Sequence, residues 1–389
     1  MNTDFIHRSL GHTLLEAAPY FPVLCVTGPR QSGKSTLVNH LFADYKRFSM
    51  EDIDVRSAAM SDPRQFLNQT SEGMIIDEVQ RVPELLSYIQ GIVDNNPERR
   101  FVLTGSSNFA LLRSVSQSLA GRVGMFELLP MAFEEVREDM DASSLDEILY
   151  NGLYPAVCAG KSVARFLYPS YVKTYLERDV RDLLQVRNLM QFNTFLRLCA
   201  SRIGSLFNAS ELASEVGVDS KTITSWLSIL QTSYIVFLLP PYYANTRKRL
   251  VKSPKLYFCD TGLACYLLDI ESPEQLSRDK MRGHHFENFI VMEALKHRYN
   301  AGRESNLFFY RDSNNNEIDL LMLTGQKADG YEIKSAATYH PSFAAKLEKM
   351  PSYVKAEVGR RAVIYTGTFE REGAEIEIRN WRNFLRTHR

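Results

Sequence analysis

The eight residues GPRQSGKS, from Gly28 to Ser35, are the most informative stretch of this chain. They fit the pattern G-x-x-x-x-G-K-[ST] in full, follow the strand-like run VLCVTG, and open the helical run STLVNHLF. Glycines let such a loop fold back, so that backbone N–H groups and the helix N-terminus surround a phosphate. In this pattern Lys34 binds the β- and γ-phosphates of a nucleotide and Ser35 coordinates Mg²⁺. The motif therefore predicts an ATP and Mg²⁺ site in a parallel α/β sheet.

Two adjacent acids, Asp77 and Glu78, end the apolar strand-like run GMIIDE. An acid at the C-terminal end of a strand beside the phosphate loop can hold the Mg²⁺ shell, which is the role we expect for Asp77. The neighbouring Glu78 can orient the attacking water, which favours a hydrolase over a passive nucleotide binder. The expected nucleotide-binding residues are Gly28, Pro29, Arg30, Gln31, Ser32, Gly33, Lys34, Ser35, Thr36 and Asp77, with Ser35 and Asp77 at the metal.

Composition limits the classes of protein to which the chain can belong. It has 389 residues, of which 44% are apolar, with 46 Lys and Arg against 46 Asp and Glu, so it is not a disordered chain. The zero net charge confines any nucleic-acid surface to a local patch. No apolar run reaches the ~18 residues of a membrane helix, and the start MNTDFIHRSL lacks an apolar signal core, so we expect a cytoplasmic protein with no membrane partner. Five scattered cysteines predict reduced, mostly buried thiols.

Hydrophobic periodicity divides the chain into three parts that differ in predicted secondary structure. The first alternates strands with helices, the second, from about Met131 to Leu239, is mainly helical, and the third, from about Lys255, is mixed α+β. The strands predicted in the first part are Val23–Gly28, Gly73–Glu78, Phe101–Ser106 and Gly124–Pro130. Those predicted in the third part are Leu307–Arg311, Ile318–Leu323, Gly330–Ser335 and Ala362–Gly367.

Several motifs together resemble a known family. GPRQSGKSTL, MIIDEVQRVPELL, FVLTGSSNFALL and SLAGRVGMFELLPM are similar to AAA+ ATPases. With NGLYPAV, YVKTYLERDVRDL and KSPKLYFCDTGL, they resemble the bacterial and archaeal AAA+ ATPases that carry a DUF4143-type C-terminal region. The resemblance covers nearly the whole chain.

This resemblance implies further residues of the nucleotide site. The strand FVLTGS should lie between the two nucleotide motifs, with Thr104, Ser106 or Asn108 as the sensor of the γ-phosphate; we favour Ser106. Arg122 stands where the superfamily has its arginine finger, which often acts on a neighbouring subunit; the alternative is an ordinary arginine that complements a helix dipole. The superfamily implies a homo-oligomer, such as a hexameric ring or a partial ring. Arg178 is a candidate lid arginine, or a surface ion-pair partner.

The middle of the chain has the order of a winged helix-turn-helix. ASELASEVG predicts a short helix ending at Gly217, Asp219 or Ser220 caps the next helix, and a strand-like run follows. The segment Tyr242–Phe258 has five basic residues, four aromatics and no acid, which suits a DNA backbone. The alternative is a packing module with a solvated basic hairpin. The helix residues expected near DNA are Lys221, Thr222, Thr224 and Ser225.

The C-terminal part contains a second chemical constellation. Glu332 and Lys334 form E-x-K at strand spacing, and the glycines Gly325 and Gly330 between Asp319 and Glu332 predict a hairpin that makes the acids neighbours. Carboxylates on adjacent strands can hold Mg²⁺ ions for phosphodiester cleavage, with the lysine positioning water. With Glu287 on a preceding helix, the arrangement resembles the PD-(D/E)xK nuclease fold. The alternative is a nuclease-like scaffold whose acids are solvated or salt-bridged.

These features predict an α/β protein of four parts. They are an AAA+ P-loop core (1–130), a helical lid (131–200), a winged-helix module (201–258) and an α+β, restriction-endonuclease-like DUF4143 domain (259–389). The first hypothesis for its function is an ATPase coupled to DNA binding and to Mg²⁺-dependent DNA cleavage. The second is a regulatory ATPase switch that acts on a protein partner and carries an inactive nuclease-like scaffold.

Overall fold

A computed structural model describes residues 5–106, 118–140, 142–176, 189–242 and 252–387. The chain divides into two compact units. Unit 1 comprises Met1–Met131, Thr232–Tyr234 and Tyr299–Arg303. Unit 2 comprises Ala132–Gln231, Ile235–Arg298 and Glu304–Arg389. Among the helices described, none is long and apolar enough to span a membrane.

Unit 1 alternates strands and helices. Its helices are α1 (Leu10–Ala17), α2 (Lys34–Leu41), α3 (Ile53–Ser61), α4 (Pro63–Leu67) and α5 (Leu85–Asn95). Its strands are β1 (Val23–Gly28), β2 (Lys46–Ser49), β3 (Gly73–Asp77), β4 (Arg100–Ser106) and β5 (Val123–Glu127). A 3₁₀ turn, Val79–Arg81, follows β3 directly.

The five strands of unit 1 form one parallel sheet in the order β2-β3-β4-β1-β5. The expectation that β4 lies between the two nucleotide motifs is confirmed, since β4 pairs with both β1 and β3. Alternate residues of β1 enter two separate hydrophobic cores, Val23 and Cys25 on one face and Leu24 and Val26 on the other. This two-sided burial explains why β1 is a continuous apolar run, as buried parallel strands are. Strand β2 was not predicted, because as an edge strand with the sequence KRFS it has no apolar run.

Unit 2 begins with helices. They are α6 (Phe133–Met140), α7 (Leu145–Asn151), α8 (Pro155–Cys158), α9 (Ala164–Tyr171), α10 (Leu189–Ala200), α11 (Ala209–Val216) and α12 (Ser220–Thr232), with a π-helical turn at Val172–Leu176. The predicted helix end at Gly217 is confirmed, with Gly217 in the left-handed conformation at φ 76°. Asp219 caps the next helix by accepting from Thr222 N at 2.8 Å. Strands β6 (Val236–Leu239) and β7 (Lys255–Phe258) then pair antiparallel.

The rest of unit 2 is a mixed sheet with helices. The helices are α13 (Thr261–Leu267), α14 (Pro273–Arg278), α15 (Arg282–Asn300), α16 (Ala345–Glu348) and α17 (Trp381–Thr387). The strands are β8 (Leu307–Arg311), β9 (Glu317–Thr324), β10 (Lys327–Lys334), β11 (Glu357–Tyr365) and β12 (Glu377–Asn380).

This second sheet has the order β12-β11-β10-β9-β8. The pairs β8–β9 and β9–β10 are antiparallel, whereas β10–β11 and β11–β12 are parallel. The predicted hairpin between Asp319 and Glu332 is confirmed, with its turn at Gly325, where φ is 60°. Gly330, in contrast, lies inside β10, where an added Cβ would meet Met350 Sδ at 2.4 Å.

Candidate functional site

The loop that joins β1 to α2 has the backbone shape that its glycines predict. Gly33 has φ 91° and Gln31 has φ 62°, both in the left-handed region. A Cβ added to Gly28 would stand 2.1 Å from Leu128 O, so only glycine fits at this position. The buried Arg8 holds the loop from outside, donating to Ser32 O at 2.7 Å and to Leu129 O at 2.8 Å. Arg8 could not be predicted from the sequence, because a single arginine has no local pattern.

Lys34 and Ser35 stand at the start of α2, where helix N–H groups favour a phosphate. Lys34 is buried and its Nζ donates to Gly28 O at 3.0 Å and Pro29 O at 2.7 Å. Burial lowers the pKa of Lys34 to about 8, against the raising effect of Glu78 and Asp77. A desolvated ammonium with two carbonyl partners is well placed to exchange them for phosphate oxygens.

The carboxylate of Asp77, at the C-terminal end of β3, accepts hydrogen bonds from three side chains. Ser35 Oγ donates to its Oδ1 at 2.9 Å, and Thr104 Oγ1 donates to the same oxygen. Arg47 Nη2 donates to its Oδ2 at 2.9 Å. The Ser35 hydroxyl and the Asp77 carboxylate are oxygen donors, the type that Mg²⁺ takes in P-loop sites, so the residues fit the ion. Arg47 was missed because it lies on β2, the strand that was not predicted.

Glu78 follows Asp77 in a left-handed conformation, with φ 56° and ψ 43°. Its Oε2 accepts a hydrogen bond from Gln80 Nε2 and one from Ser106 Oγ at 3.3 Å. The structure thus brings together Glu78 and Ser106, which are distant in sequence, at the C-terminal ends of neighbouring strands. Of the other sensor candidates, Thr104 binds Asp77, and Asn108 lies outside the described residues.

Arg122 lies at the N-terminal ends of the neighbouring strands β1 and β5, the end of the sheet opposite the phosphate loop. Its carbonyl accepts from the N–H of Val23, the first residue of β1, whereas the phosphate loop follows the last residue, Gly28. Its guanidinium forms a two-bond ion pair with Asp94, at 2.5 and 3.0 Å, and both side chains are partly exposed. A strand of six residues spans about 20 Å, so Arg122 is too far from the phosphate loop of its own chain to touch a nucleotide there.

A cluster of charged residues in unit 2 surrounds the predicted nuclease-like motif. The β9–β10 ladder pairs Leu320 with Tyr331, so the next opposed residues are Asp319 and Glu332. Lys334 Nζ lies 3.0 Å from Asp319 Oδ2 and 2.7 Å from Glu332 Oε2. The spacing along β10 and the β9–β10 hairpin thus bring Asp319, Glu332 and Lys334, three of the four expected residues, together on one face of the sheet.

The two acids of this cluster differ in their surroundings. Burial and the charge of Asp319 raise the pKa of Glu332 to about 8. Both oxygens of Glu332 are buried without a hydrogen bond of ordinary geometry. Burial also opposes ionisation of Asp319, but Lys334, Lys255 and the N–H of Ile333 hold the pKa of its carboxyl below its usual value.

The fourth expected residue, Glu287, has other partners. Its Oε1 accepts from Tyr257 OH at 2.6 Å and pairs with Lys255 Nζ at 3.0 Å. Lys255 Nζ also lies 2.6 Å from Glu317 Oε1. Within the described residues, no three His, Cys, Asp or Glu side chains come close enough to hold one metal ion. Glu287 is therefore tied to a buried lysine rather than grouped with Asp319 and Glu332 as a third ligand.

The prediction that the whole segment Tyr242–Phe258 is an exposed basic and aromatic surface is wrong. Lys255, Tyr257 and Phe258 are buried in β7, so they cannot belong to an exposed basic and aromatic surface. The basic sequence neighbours of Lys255 predict an exposed cation, but the structure buries its side chain. Residues 243–251 lie outside the described part of the chain, as does the candidate lid arginine Arg178. On α12, Lys221, Thr224 and Ser225 are exposed, whereas Thr222 donates to Asp219.

Comparison with known proteins agrees with the geometry of unit 1. The family described as "AAA domain" matches residues 20–137, which contain all five strands of its sheet. Residues 20–137 are therefore an AAA-type P-loop ATPase domain. Two families described as domains of unknown function, DUF8612 and DUF4143, match residues 142–274 and 282–382.

Whole-chain relatives extend the match beyond unit 1. The uncharacterized proteins Mb2031c of Mycobacterium bovis and Rv2008c of Mycobacterium tuberculosis are each 32% identical over 364 residues, covering 92% of this chain and 80% of theirs. The uncharacterized protein MJ1544 of Methanocaldococcus jannaschii is 22% identical, over 78% of this chain and 72% of its own. The chain belongs to the family of the mycobacterial proteins, and its own sequence combines an AAA domain with a DUF4143 region. The Walker-type ATPase PABY2304 of Pyrococcus abyssi, a solved structure, is 14% identical, with a TM-score of 0.48 over 68% of this chain and 97% of its own.

Proposed function

We propose that unit 1 hydrolyses ATP with Lys34, Ser35, Asp77, Glu78 and Ser106. Lys34 binds the β- and γ-phosphates, and Ser35 and Asp77 hold Mg²⁺, which neutralises charge on the phosphates when bound. Glu78 orients the attacking water and Ser106 senses the γ-phosphate. The observation that carries these roles is the hydrogen-bond path from Ser35 through Asp77, with Glu78 and Ser106 in contact beside it.

We further propose that Arg122 acts on the nucleotide of a second copy of the chain. Its distance along β1 from its own phosphate loop excludes action within one chain, and its partly exposed side chain is accessible to a neighbour. A cation at the γ-phosphate stabilises the charge that develops during phosphoryl transfer. This role requires a homo-oligomer.

We propose that ATP hydrolysis by this protein is coupled to the binding of DNA. The order α11, α12, β6, β7 in unit 2, with an exposed N-terminal turn on α12, supports a winged-helix reader. The basic residues that precede β7 in sequence, Arg247, Lys248, Arg249 and Lys252, would add phosphate contacts.

We propose phosphodiester cleavage at Asp319, Glu332 and Lys334. Glu332 Oε1 is buried and accepts no hydrogen bond from the described residues, which supports a cation site next to the Lys334 ammonium that already lies 2.7 Å from Oε2. Mg²⁺ bound there would activate water and stabilise the leaving oxygen. Asp319 and Glu332 would hold the ion and Lys334 would position the water. Glu287 would not hold the ion itself; it would position Lys255, whose charge acts on Asp319.

A second candidate function has its own support. Lys334 and Lys255 already neutralise the acids of this cluster, and the described residues supply no three-ligand metal group. These facts favour a charge-balanced scaffold. The ATPase would then be a switch whose nucleotide state controls a protein partner, and unit 2 would serve as the interface.

One experiment separates the two functions. The protein is incubated with Mg²⁺ or Mn²⁺, with and without ATP, on single-stranded, double-stranded and branched DNA and on RNA. Wild type is compared with Asp319→Ala, Lys34→Ala and Glu78→Gln, and with Glu304→Ala, an exposed acid of the same unit, as a control.

Cleavage that is lost in Asp319→Ala, kept in Glu304→Ala and altered by the two ATP-site variants would establish an ATP-coupled nuclease. ATPase activity without cleavage of any substrate would exclude the nuclease and favour the switch. Loss of ATPase activity in Lys34→Ala tests the nucleotide site independently of either outcome.

A further inference from the structure

Gln80 contacts both proposed catalytic side chains at the end of β3 and β4. Its Nε2 donates to Glu78 Oε2 and to Ser106 Oγ, the latter at 3.2 Å. Ser106 Oγ in turn lies 3.3 Å from the same Glu78 oxygen. The three side chains thus form a closed triangle. The sequence offered no reason to single out Gln80, since a glutamine after two acids carries no motif of its own.

The backbone around Gln80 fixes where its amide points. Glu78 adopts a left-handed conformation, which is unfavourable for a residue with a Cβ. The turn that follows is held by hydrogen bonds from Arg81 N to Glu78 O at 3.1 Å and from Val82 N to Val79 O at 3.0 Å. Val79 is fully buried in the core of unit 1. The side chain of Gln80 therefore projects from a hydrogen-bonded turn. This turn begins at Glu78, the residue with the unfavourable backbone conformation.

We propose that Gln80 is a positioning residue, which holds the Glu78 carboxylate and the Ser106 hydroxyl in the geometry that orients the attacking water. This inference rests on the proposed role of Glu78. An amide suits the task because it donates to a carboxylate without adding a charge that would compete with Lys34 or Mg²⁺.

The other end of the amide supports the same role. Gln80 Oε1 is buried and accepts no hydrogen bond from any residue that the structure describes. A buried acceptor without a partner is unfavourable, so a water molecule that reaches Gln80 Oε1 would satisfy it. Gln80 would then fix the acid with its nitrogen and favour water at the adjacent position with its oxygen.

The test compares Gln80→Leu, which keeps a branched side chain one bond shorter and removes both polar atoms, and Gln80→Ala with the control Gln65→Ala. Gln65 is an exposed glutamine of the same unit. We expect kcat for ATP to fall about 10- to 100-fold in both Gln80 variants, as for other losses of alignment. KM and the affinity for a non-hydrolysable ATP analogue with Mg²⁺ should stay within about twofold of wild type. The control should behave as wild type.

A double-mutant cycle separates positioning from general structural damage. If Gln80 acts through Glu78, adding Gln80→Leu to Glu78→Gln should lower kcat by less than about twofold. If the fold losses in kcat of the two single variants instead multiply in the double variant, the inference is overturned. It is also overturned if Gln80→Leu keeps the wild-type kcat while Glu78→Gln is inactive. In that last case the role of Glu78 would stand. Wild-type turnover in Glu78→Gln would instead overturn the proposed role of Glu78 and this inference with it.

Discussion

Replacing Lys255 by methionine should strongly destabilise unit 2. Lys255 is 2% exposed and pairs with Glu287 at 3.0 Å and with Glu317 at 2.6 Å. Methionine has a similar chain length, so the substitution removes the charge while leaving little cavity. Burial opposes the charge of Lys255, but Glu287 and the groups around it raise the pKa of its ammonium well above the usual value. The ammonium is therefore the counter-charge of two carboxylates.

The size of the effect follows from the partners that remain. Removing one member of a buried ion pair costs about 3–5 kcal/mol, because the other charge is left uncompensated. Tyr257 OH still donates to Glu287, and Arg311 Nη1 still lies 3.3 Å from Glu317 Oε2. These contacts offset part of the loss, so we expect the free energy of unfolding to fall by about 3 kcal/mol, the lower end of that range.

Urea unfolding followed by tryptophan fluorescence is the measurement, because both tryptophans, Trp226 and Trp381, lie in unit 2. Lys327→Met is the matched control. Lys327 also pairs with a glutamate, Glu357 at 3.4 Å, but its side chain is 62% exposed. An exposed pair contributes about 0–1 kcal/mol, so the control should change little. Equal costs in the two variants would show that burial does not set the strength of the Lys255 network.

Three further predictions concern single positions. Arg122→Ala should bind ATP but hydrolyse it poorly, and wild-type turnover per chain should rise with protein concentration; normal hydrolysis in the variant would remove Arg122 from the mechanism. Gly28→Ala should abolish nucleotide binding, measured by equilibrium titration, because its Cβ would meet Leu128 O at 2.1 Å. Burial lowers the pKa of His285 to about 4, so the unfolded chain binds this proton more readily and the folded state is destabilised as pH falls from about 6.5 to 4. His285→Leu should lack this loss, about 3 kcal/mol in wild type, when unfolding is measured across that range; identical pH profiles would contradict it.

The backbone geometry of the phosphate loop and the position of the acids beside it could be predicted from sequence, whereas the roles of these residues in nucleotide binding stay predictions. These residues lie in short contiguous segments, and the constraints on them are local: glycines where φ is positive, and acids where a buried strand ends. The position of β4 between β1 and β3 came from resemblance to a family, and the structure confirms it. Arg47 and Gln80 could not be predicted, because their roles depend on which distant residue each one meets.

The second cluster was predicted only where spacing along strands is informative. The alternation of E-x-K and the glycine turn place Asp319, Glu332 and Lys334 on one face of adjacent strands. Nothing local distinguishes Lys255 from the basic residues before it. Its burial depends on β7 pairing with β6 and on α15 presenting Glu287, which are contacts between segments far apart in the chain.

Backbone conformation and strand periodicity are local properties, and for this reason the residue order alone was enough to define the phosphate loop, the paired acids and most strands. Charge partners are not local, since an ion pair depends on distance in space and on the exclusion of water by surrounding groups. Folding therefore assigned Lys255 to Glu287, Arg47 to Asp77 and Arg122 to Asp94. It also determined that a lysine in a basic stretch became the buried counter-charge of two acids.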